Sequence, residues 1–187
     1  MSVAIQRLDE GIRAGLKAHI LALPARDLCL RFGRALAPGV IAAYVDRIDF
    51  DRDAVFGVRD ERRGLVGVAH VAFEDDLAEL GLSVLPEHRS RGIASALFER
   101  AAAHVRNRSV RGLVMRYLWT NTPIMRIAQR FGMKVVASAG EADARLVLPP
   151  PSLASRAAEI VADAYGRCDC AFEALVTRKL RPPAPCS

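Results

Sequence analysis

The sequence has no long apolar run and few cysteines. No stretch approaches the roughly 18 consecutive apolar residues that a membrane-spanning helix needs. The first ten residues lack a basic segment followed by an apolar core, which argues against a secretory signal peptide. These absences predict a cytoplasmic protein with no membrane partner.

The four cysteines do not indicate a disulfide framework or a metal site. Cys29 and Cys186 are isolated, while Cys168 and Cys170 form a C-x-C pair. A framework of disulfides is not expected in a chain of this size without a secretory signal. A metal site at the pair would need two further ligands at suitable spacing, and no histidine lies near it. The sequence therefore predicts ordinary thiols and no bound metal.

Lysine is almost absent although the chain is basic. Only Lys17, Lys134 and Lys179 occur, so arginine supplies nearly all of the positive charge behind the formal net charge of +6. The arginines are scattered and do not form a basic run with interleaved aromatic residues, as a nucleic-acid surface would. The pattern favours solvated faces and no nucleic-acid partner, and a ligand that carries phosphates would need only a few of these side chains.

The chain is long enough for one globular domain. Hydrophobic residues make up 51% of its 187 residues and charged residues 26%, which is typical of a packed core and not of disorder. Pro149 to Pro151 interrupts the chain, and the segment beyond is too short for its own core. We therefore expect a domain over residues 1–149 and an extension, 150–187, that packs on it.

Hydrophobic periodicity predicts a mixed α/β fold. Alternation indicates strands, and apolar positions at helical spacing indicate amphipathic helices. Short turns at 60–64 and 74–76 join three of the strands into an antiparallel meander. The predicted elements are a strand at 3–8, a helix at 12–23, a helix from about 38, strands at 54–59, 65–73 and 77–85, a helix from about 93, a strand at 112–119, a helix from about 122 to 131, strands at 133–137 and 144–148, and a helix at 152–165.

The turn before the helix at 93 has the composition of a phosphate-binding site. A helix start leaves backbone N–H groups without partners and carries a positive partial charge. Gly92 lets the backbone approach a pyrophosphate closely, and the small Ala94 keeps the first turn clear. Arg89 and Arg91 can add charge-assisted contacts.

The setting of this turn resembles the GCN5-related N-acetyltransferase (GNAT) superfamily. The turn is R-x-x-G-x-A directly after a strand that ends Leu82-Ser-Val-Leu-Pro86, and Asn121 opens a later helix that ends Phe131-Gly132-Met133. The family motif is Q/R-x-x-G-x-G/A, and the resemblance covers Leu77 to Val136. It implies a mostly antiparallel sheet of about seven strands flanked by helices, in the order β-α-α-β-β-β-α-β-α-β-β, with a C-terminal helical extension.

The resemblance also implies where acetyl-CoA binds. The backbone of the fourth strand would pair with the pantetheine arm, the turn would wrap the pyrophosphate, and Asn121 would lie near the splayed ends of the fourth and fifth strands. The implied cofactor-binding residues are Leu82, Ser83, Val84, Arg89, Ser90, Arg91, Gly92, Ile93, Ala94, Ser95 and Asn121.

Glu79 is the candidate general base. Some family members that acetylate protein lysines carry an acidic residue in a similar position. Alternation places Glu79 opposite Leu80 and Leu82 unless a bulge at Gly81 intervenes, and an exposed strand glutamate without catalytic role stays an alternative.

The tyrosine that many members use as general acid is absent. In those members it lies on the fourth helix, shortly before a Gly-Phe pair, and counting back from Gly132 places Ala128 at this position. Tyr117 or a water molecule can substitute, or the thiolate can leave unaided.

The combined sequence evidence predicts an N-acetyltransferase that moves an acetyl group from acetyl-CoA to a primary amine. Leu23 to Phe32 and Asn121 to Met133 resemble segments of bacterial protein-lysine acetyltransferases, so the acceptor is a protein lysine or a small-molecule amine. The sequence leaves open a longer acyl group and a monomer or homodimer. An acyl-CoA-binding regulatory module with little turnover is the alternative, and a nucleic-acid-binding protein is a third hypothesis that rests only on the basic pI.

Overall fold

A computed structural model describes the backbone of residues 3–60 and 64–179, and the side chains of these residues except 167–179. Its seven strands form one sheet in the order β1-β2-β3-β4-β5-β7-β6. The elements are β1 (Gln6–Leu8), α1 (Arg13–Leu21), α2 (Ala25–Phe32), α3 (Pro38–Asp46), β2 (Ala54–Arg59), β3 (Leu65–Glu74), β4 (Leu77–Val84), α4 (Ile93–Asn107), β5 (Gly112–Leu118), α5 (Thr122–Arg130), β6 (Lys134–Ser138), β7 (Glu141–Val147) and α6 (Leu153–Lys179).

Helices cover both faces of the sheet, so the central strands are apolar on both sides. Phe56, Leu97 and Met115 belong to the core on the α4 and α5 face. Leu16 and Val45 belong to the core on the α1 and α3 face. Because a strand buried on both faces does not alternate strictly, β2 is a nearly continuous apolar run.

The sheet opens between β4 and β5, which is the parallel pair among its described strands. The two strands pair only from Leu77–Gly112 to Glu79–Val114. Beyond this point β5 pairs on its other side with β7 as far as Leu118, so the second half of β4 has no partner on that edge. This is the splayed arrangement that the resemblance implied.

The predicted fold class is confirmed, with one helix more than the sequence indicated. α2 follows Pro24 directly and ends at Gly33, whose φ of 75° gives a left-handed cap. Pro24 ends the preceding helical pattern in the sequence. The new helix that begins directly after it was therefore not predicted. β1 is also shorter than predicted, since it begins at Gln6.

The predicted C-terminal helix extends further than expected, through Lys179 instead of ending near Tyr165. α6 contacts α4 and β1. None of the helices in the described part of the chain is both long and apolar enough to cross a membrane. The predicted turn residues 61–63 and the side chains of Cys168, Cys170 and Cys186 lie outside the described residues.

Candidate functional site

The space between the splayed strands is a cavity of about 340 Å³, here named the gap cavity. α2 contacts both β4 and β5 and therefore lies over it. Leu85 donates its N–H to the Val66 carbonyl of β3 at 2.9 Å. Because backbone direction alternates along a strand, the N–H and C=O of Leu82 point away from β3 and into the gap. This part of β4 is free to pair with an extended ligand.

The start of α4 forms one end of the gap cavity. Gly92 precedes the first helical turn with φ of 81°, and no side chain caps this helix start. Ser90 also has a positive φ, of 59°. A Cβ on Gly92 would meet open space beyond its chain neighbours, and an uncapped helix start that lines a cavity suits an anion.

Arginine side chains give the gap cavity an excess of positive charge. Arg89 lines it, but its Nε donates to the Val84 carbonyl at 3.0 Å and its Nη2 to Asp27 at 2.6 Å. Arg91 is exposed and is not part of the lining. Sequence reasoning missed the contribution of Arg126 from α5. The full set of arginines in the lining is Arg31, Arg89, Arg116 and Arg126.

Asn121 is buried and lines the gap cavity. Its Oδ1 accepts the N–H of Ile124 at 3.3 Å and caps α5. Its Nδ2 donates to the Leu30 carbonyl at 3.3 Å. The side chain therefore joins α5 to α2 across the cleft. The remaining cofactor-binding residues predicted from the sequence also line this cavity: Leu82, Ser83, Val84, Ser90, Gly92, Ile93, Ala94 and Ser95.

A second cavity of about 390 Å³, here named the Glu79 cavity, adjoins the first. The two share four lining residues, namely Arg31, Gly81, Arg116 and Tyr117. The Glu79 cavity is further lined by Phe32, Gly33, Tyr44, His70, Ala72, Glu79, Leu118 and Glu141. An extended ligand in the gap cavity would therefore meet a second ligand at these shared residues.

Glu79 lies on the face of β4 opposite Leu80 and Leu82, as alternation predicts. The register between β3 and β4 is regular through Gly81, so the possible bulge at this residue is absent. Gly81 instead makes room for the guanidinium of Arg31, which a Cβ at this position would overlap. The Glu79 carboxylate forms an ion pair with Arg116.

Tyr117 lies where the two cavities meet and is only 5% exposed. Its buried hydroxyl has no hydrogen-bond partner among the described residues. Burial raises the pKa of Tyr117 above 10.0, since the phenolate would lose its solvation. Ala128, at the position of the missing family tyrosine, is fully buried in the core.

Folding assembles two histidine arrangements that the sequence did not indicate. Nδ1 of His19 lies 2.8 Å from the Leu65 carbonyl, and its Nε2 lies 2.9 Å from Ser83 Oγ. Burial lowers the pKa of His19, so the neutral ring donates to Leu65 and accepts from Ser83. Nδ1 of His70 lies 2.7 Å from Tyr44 Oη, and its Nε2 lies 3.0 Å from Asp53 Oδ2. These residues come from separate elements, so no sequence spacing predicts either arrangement.

Comparisons with known proteins agree with this geometry. The model of the acetyltransferase (GNAT) family matches residues 28–133. Similar solved structures include the GNAT domain of S. lividans PAT, with 18% identity, coverage of 77% of this chain and 89% of that chain, and a TM-score of 0.66. An N-acetyltransferase from Staphylococcus aureus Mu50 has 17% identity, coverage of 80% and 100%, and a TM-score of 0.63.

A third similar structure, yncA from Salmonella typhimurium, was solved with its cofactor acetyl-CoA. It has 16% identity, coverage of 81% of this chain and 97% of that chain, and a TM-score of 0.60. The comparison with curated proteins found no match. The family match spans more than half of the chain, and the protein therefore belongs to the GNAT acetyltransferase family of acyl-CoA-dependent N-acyltransferases.

Proposed function

We propose that the protein transfers the acetyl group of acetyl-CoA to a primary amine by direct attack on the thioester. One observation carries the proposal: the gap cavity and the Glu79 cavity meet at Arg31, Gly81, Arg116 and Tyr117. A donor that enters between β4 and β5 and an amine that enters from the other face of β4 would come together at these residues. Such juxtaposition is the first requirement of group transfer.

The gap cavity has the features that acetyl-CoA requires. The free edge of β4 can pair with the pantetheine amides as an added strand. The uncapped start of α4 and the arginine excess suit the phosphates. The residues proposed to bind acetyl-CoA are Leu82, Ser83, Val84, Arg89, Ser90, Arg91, Gly92, Ile93, Ala94, Ser95 and Asn121.

Residues in the shared region can perform the proton transfers. The amine must lose a proton before attack, the oxyanion must be stabilised, and the thiolate must gain a proton. We propose Glu79 as the base, acting through water from its place in the Glu79 cavity. The Leu82 N–H, which faces the gap, is the proposed oxyanion donor. Tyr117 is the proposed proton donor to sulfur, because it lies where the two cavities meet and its hydroxyl has no hydrogen-bond partner among the described residues.

The acceptor is proposed to be a protein lysine or a small-molecule amine, and the enzyme to act in the cytoplasm as a monomer or homodimer. We further propose that residues 1–149 form the catalytic domain and that residues 150–187 pack on it. The contact of α6 with α4 and β1 supports this arrangement.

The proposal is tested by measuring CoA release from acetyl-CoA with a lysine-containing peptide, spermidine, alanine and kanamycin as acceptors. Glu79→Gln keeps the size of the side chain but removes the base, and we expect its kcat to fall about 100-fold. Glu74→Gln is the matched control, because Glu74 is exposed at the end of β3 and lines neither cavity.

The other outcomes separate the hypotheses. Binding of acetyl-CoA without CoA release from any acceptor would favour the regulatory module. Absence of acetyl-CoA binding would contradict the assignment of the gap cavity.

A further inference from the structure

We propose that Tyr44, His70 and Asp53 form a proton relay that removes a proton from the acceptor nitrogen as the new amide bond forms. This inference rests on the proposed function and adds a second proton acceptor to it. Tyr44 is the catalytic residue of the relay because its hydroxyl would touch the acceptor. His70 and Asp53 act through Tyr44 and are positioning residues.

The three side chains form a continuous hydrogen-bonded chain from the protein interior to the Glu79 cavity. Tyr44 comes from α3, His70 from β3 and Asp53 from the loop before β2. The side chains of His70 and Asp53 are only 11% and 14% exposed. Tyr44 and His70 line the cavity, whereas Asp53 does not. The chain therefore presents its phenol to the cavity and keeps its carboxylate behind the imidazole.

The direction of each hydrogen bond follows from the groups that make it. The ionised Asp53 carboxylate only accepts, so the 3.0 Å contact places the ring proton of His70 on Nε2. Nδ1 then has a lone pair and accepts the Tyr44 hydroxyl proton at 2.7 Å. Asp53 is itself held by the Phe73 N–H, which its Oδ1 accepts at 3.4 Å. This order of carboxylate, imidazole and hydroxyl is one in which a hydroxyl can exchange protons with a base.

Amide formation from an ammonium removes two protons from the same nitrogen. An ammonium loses one proton to become a nucleophile, and its nitrogen becomes cationic again when it attacks the carbonyl. A second proton must therefore leave before the amide is formed. Glu79 is placed for the first removal, and its ion pair with Arg116 holds it on the β5 side of the cavity. The relay approaches the cavity from α3 and β3.

The proposed step is balanced. The N–H bond of the attacking nitrogen breaks and an O–H bond forms at Tyr44. The original hydroxyl proton of Tyr44 forms an N–H bond at Nδ1 of His70, and the resulting imidazolium is paired with Asp53, which stays ionised. His70 later returns its proton through Tyr44 to water in the cavity, and from this water Tyr117 regains the proton that it gave to sulfur. Arg31 Nη2 donates to Tyr44 Oη at 3.4 Å, so negative charge that develops on the phenol oxygen is stabilised.

Tyr44→Phe tests the step with the smallest change, because it removes one hydroxyl group. We expect kcat to fall about 100-fold, with the KM and Kd for acetyl-CoA unchanged, since Tyr44 does not line the gap cavity. Tyr165→Phe is the matched control, because Tyr165 lies on α6 and is 75% exposed.

His70→Gln separates a relay from a structural hydrogen bond. Glutamine keeps one donor for Asp53 and one acceptor for Tyr44, but its amide does not take up a proton at neutral pH. We expect kcat to fall as in Tyr44→Phe while the thermal midpoint and the Kd for acetyl-CoA match the wild type. His104→Gln is the control, because His104 lies outside both cavities.

The outcomes are distinguishable from those for the proposed function. A wild type that releases no CoA with any acceptor of the panel would overturn both proposals. A wild type that turns over, together with Tyr44→Phe or His70→Gln variants that retain full kcat, would overturn the relay alone. Loss of kcat in both variants with intact stability and acetyl-CoA binding supports it.

Discussion

His70 and His104 each contact a carboxylate, but the two pairs lie in different surroundings. His70 Nε2 lies 3.0 Å from Asp53, and its other nitrogen contacts the Tyr44 hydroxyl at the wall of a cavity. His104 Nδ1 lies 2.6 Å from Glu159, but its Nε2 is buried and has no partner among the described residues.

Glu159, the carboxylate of the second pair, accepts hydrogen bonds from several donors. Glu159 also accepts from Arg100 at 3.1 Å and from Asn107 at 2.7 Å, and Arg100 contacts Asp163 as well. These contacts join α6 to α4, and neither His104 nor Glu159 lines the gap cavity or the Glu79 cavity. The two pairs differ in the group at the far nitrogen of the imidazole, which is the Tyr44 hydroxyl for His70 and no described residue for His104. The first pair is joined to Tyr44, which lines the Glu79 cavity, and the second connects α6 to α4.

Removal of Glu159 should have the largest effect on stability. Glu159→Ala leaves Arg100 and His104 buried without their shared carboxylate, and breaking such a pair costs about 3–5 kcal/mol. We expect the free energy of unfolding, measured with urea, to fall by about this amount while kcat per folded molecule stays unchanged. A large loss of kcat in the folded variant would contradict the distinction between the two pairs.

Gly81→Ala should disturb the region that the two cavities share, next to Tyr44 and His70, and leave the pair of His104 and Glu159 unchanged. The new Cβ would overlap the Arg31 guanidinium and displace it from Tyr44. We expect kcat to fall about tenfold, the cost of losing one charge-assisted contact. Unfolding experiments on the same variant provide the control, since His104 and Glu159 should be unaffected. A variant with unchanged kcat would show that Arg31 has no part in the reaction.

The loss of unfolding free energy at acidic pH should depend on His104. Burial lowers the pKa of His104 below 6.5, although its contact with Glu159 opposes this shift. The unfolded chain therefore binds more protons below pH 6.5, and stability is lost as the pH falls through that region. One such group contributes at most about 1.4 kcal/mol per pH unit. His104→Gln should reduce this slope, measured as unfolding free energy between pH 7 and 5, and an unchanged slope would contradict the assignment.

Glu159 should affect the stability of the protein at lower pH than His104 does. Burial alone would raise its pKa, but the hydrogen bonds from Asn107, His104 and Arg100 outweigh burial and lower it. Its contribution is present above pH 4.5 and is lost as the pH falls through the folded-state pKa. His19 adds to the slope below pH 6.5, because burial lowers its pKa as well.

The sequence predicted features that depend on neighbours along the chain. Gly92 and Ala94 predicted the open helix start, because the turn and the helix that follows it are adjacent in the sequence. Asn121 was predicted to open α5, and its side chain accepts a hydrogen bond that caps this helix. The alternation of β4 also gave the correct face for Glu79.

Features that depend on distant elements were not predicted. Arg31 lies on α2, which was not predicted. Its eight residues lie between two predicted helices, one that stops at a proline and one that starts at a proline. Tyr44, His70 and Asp53 are brought together only when α3 packs on β2 and β3, so their spacing in the sequence has no meaning by itself. Gly81 was singled out as a possible bulge, but its register is regular, and the Arg31 side chain occupies the space that a Cβ would take.

The short pairing of β4 with β5 has a mechanical consequence. Only three residues of each strand join the half-sheet of β1 to β4 to the half-sheet of β5 to β7. An extended acyl donor bound between β4 and β5 would help to hold the two half-sheets together. Binding energy would then appear as resistance to unfolding, in proportion to the logarithm of donor concentration. The protein would be most stable to unfolding at high concentrations of the acyl donor and less stable as that concentration falls.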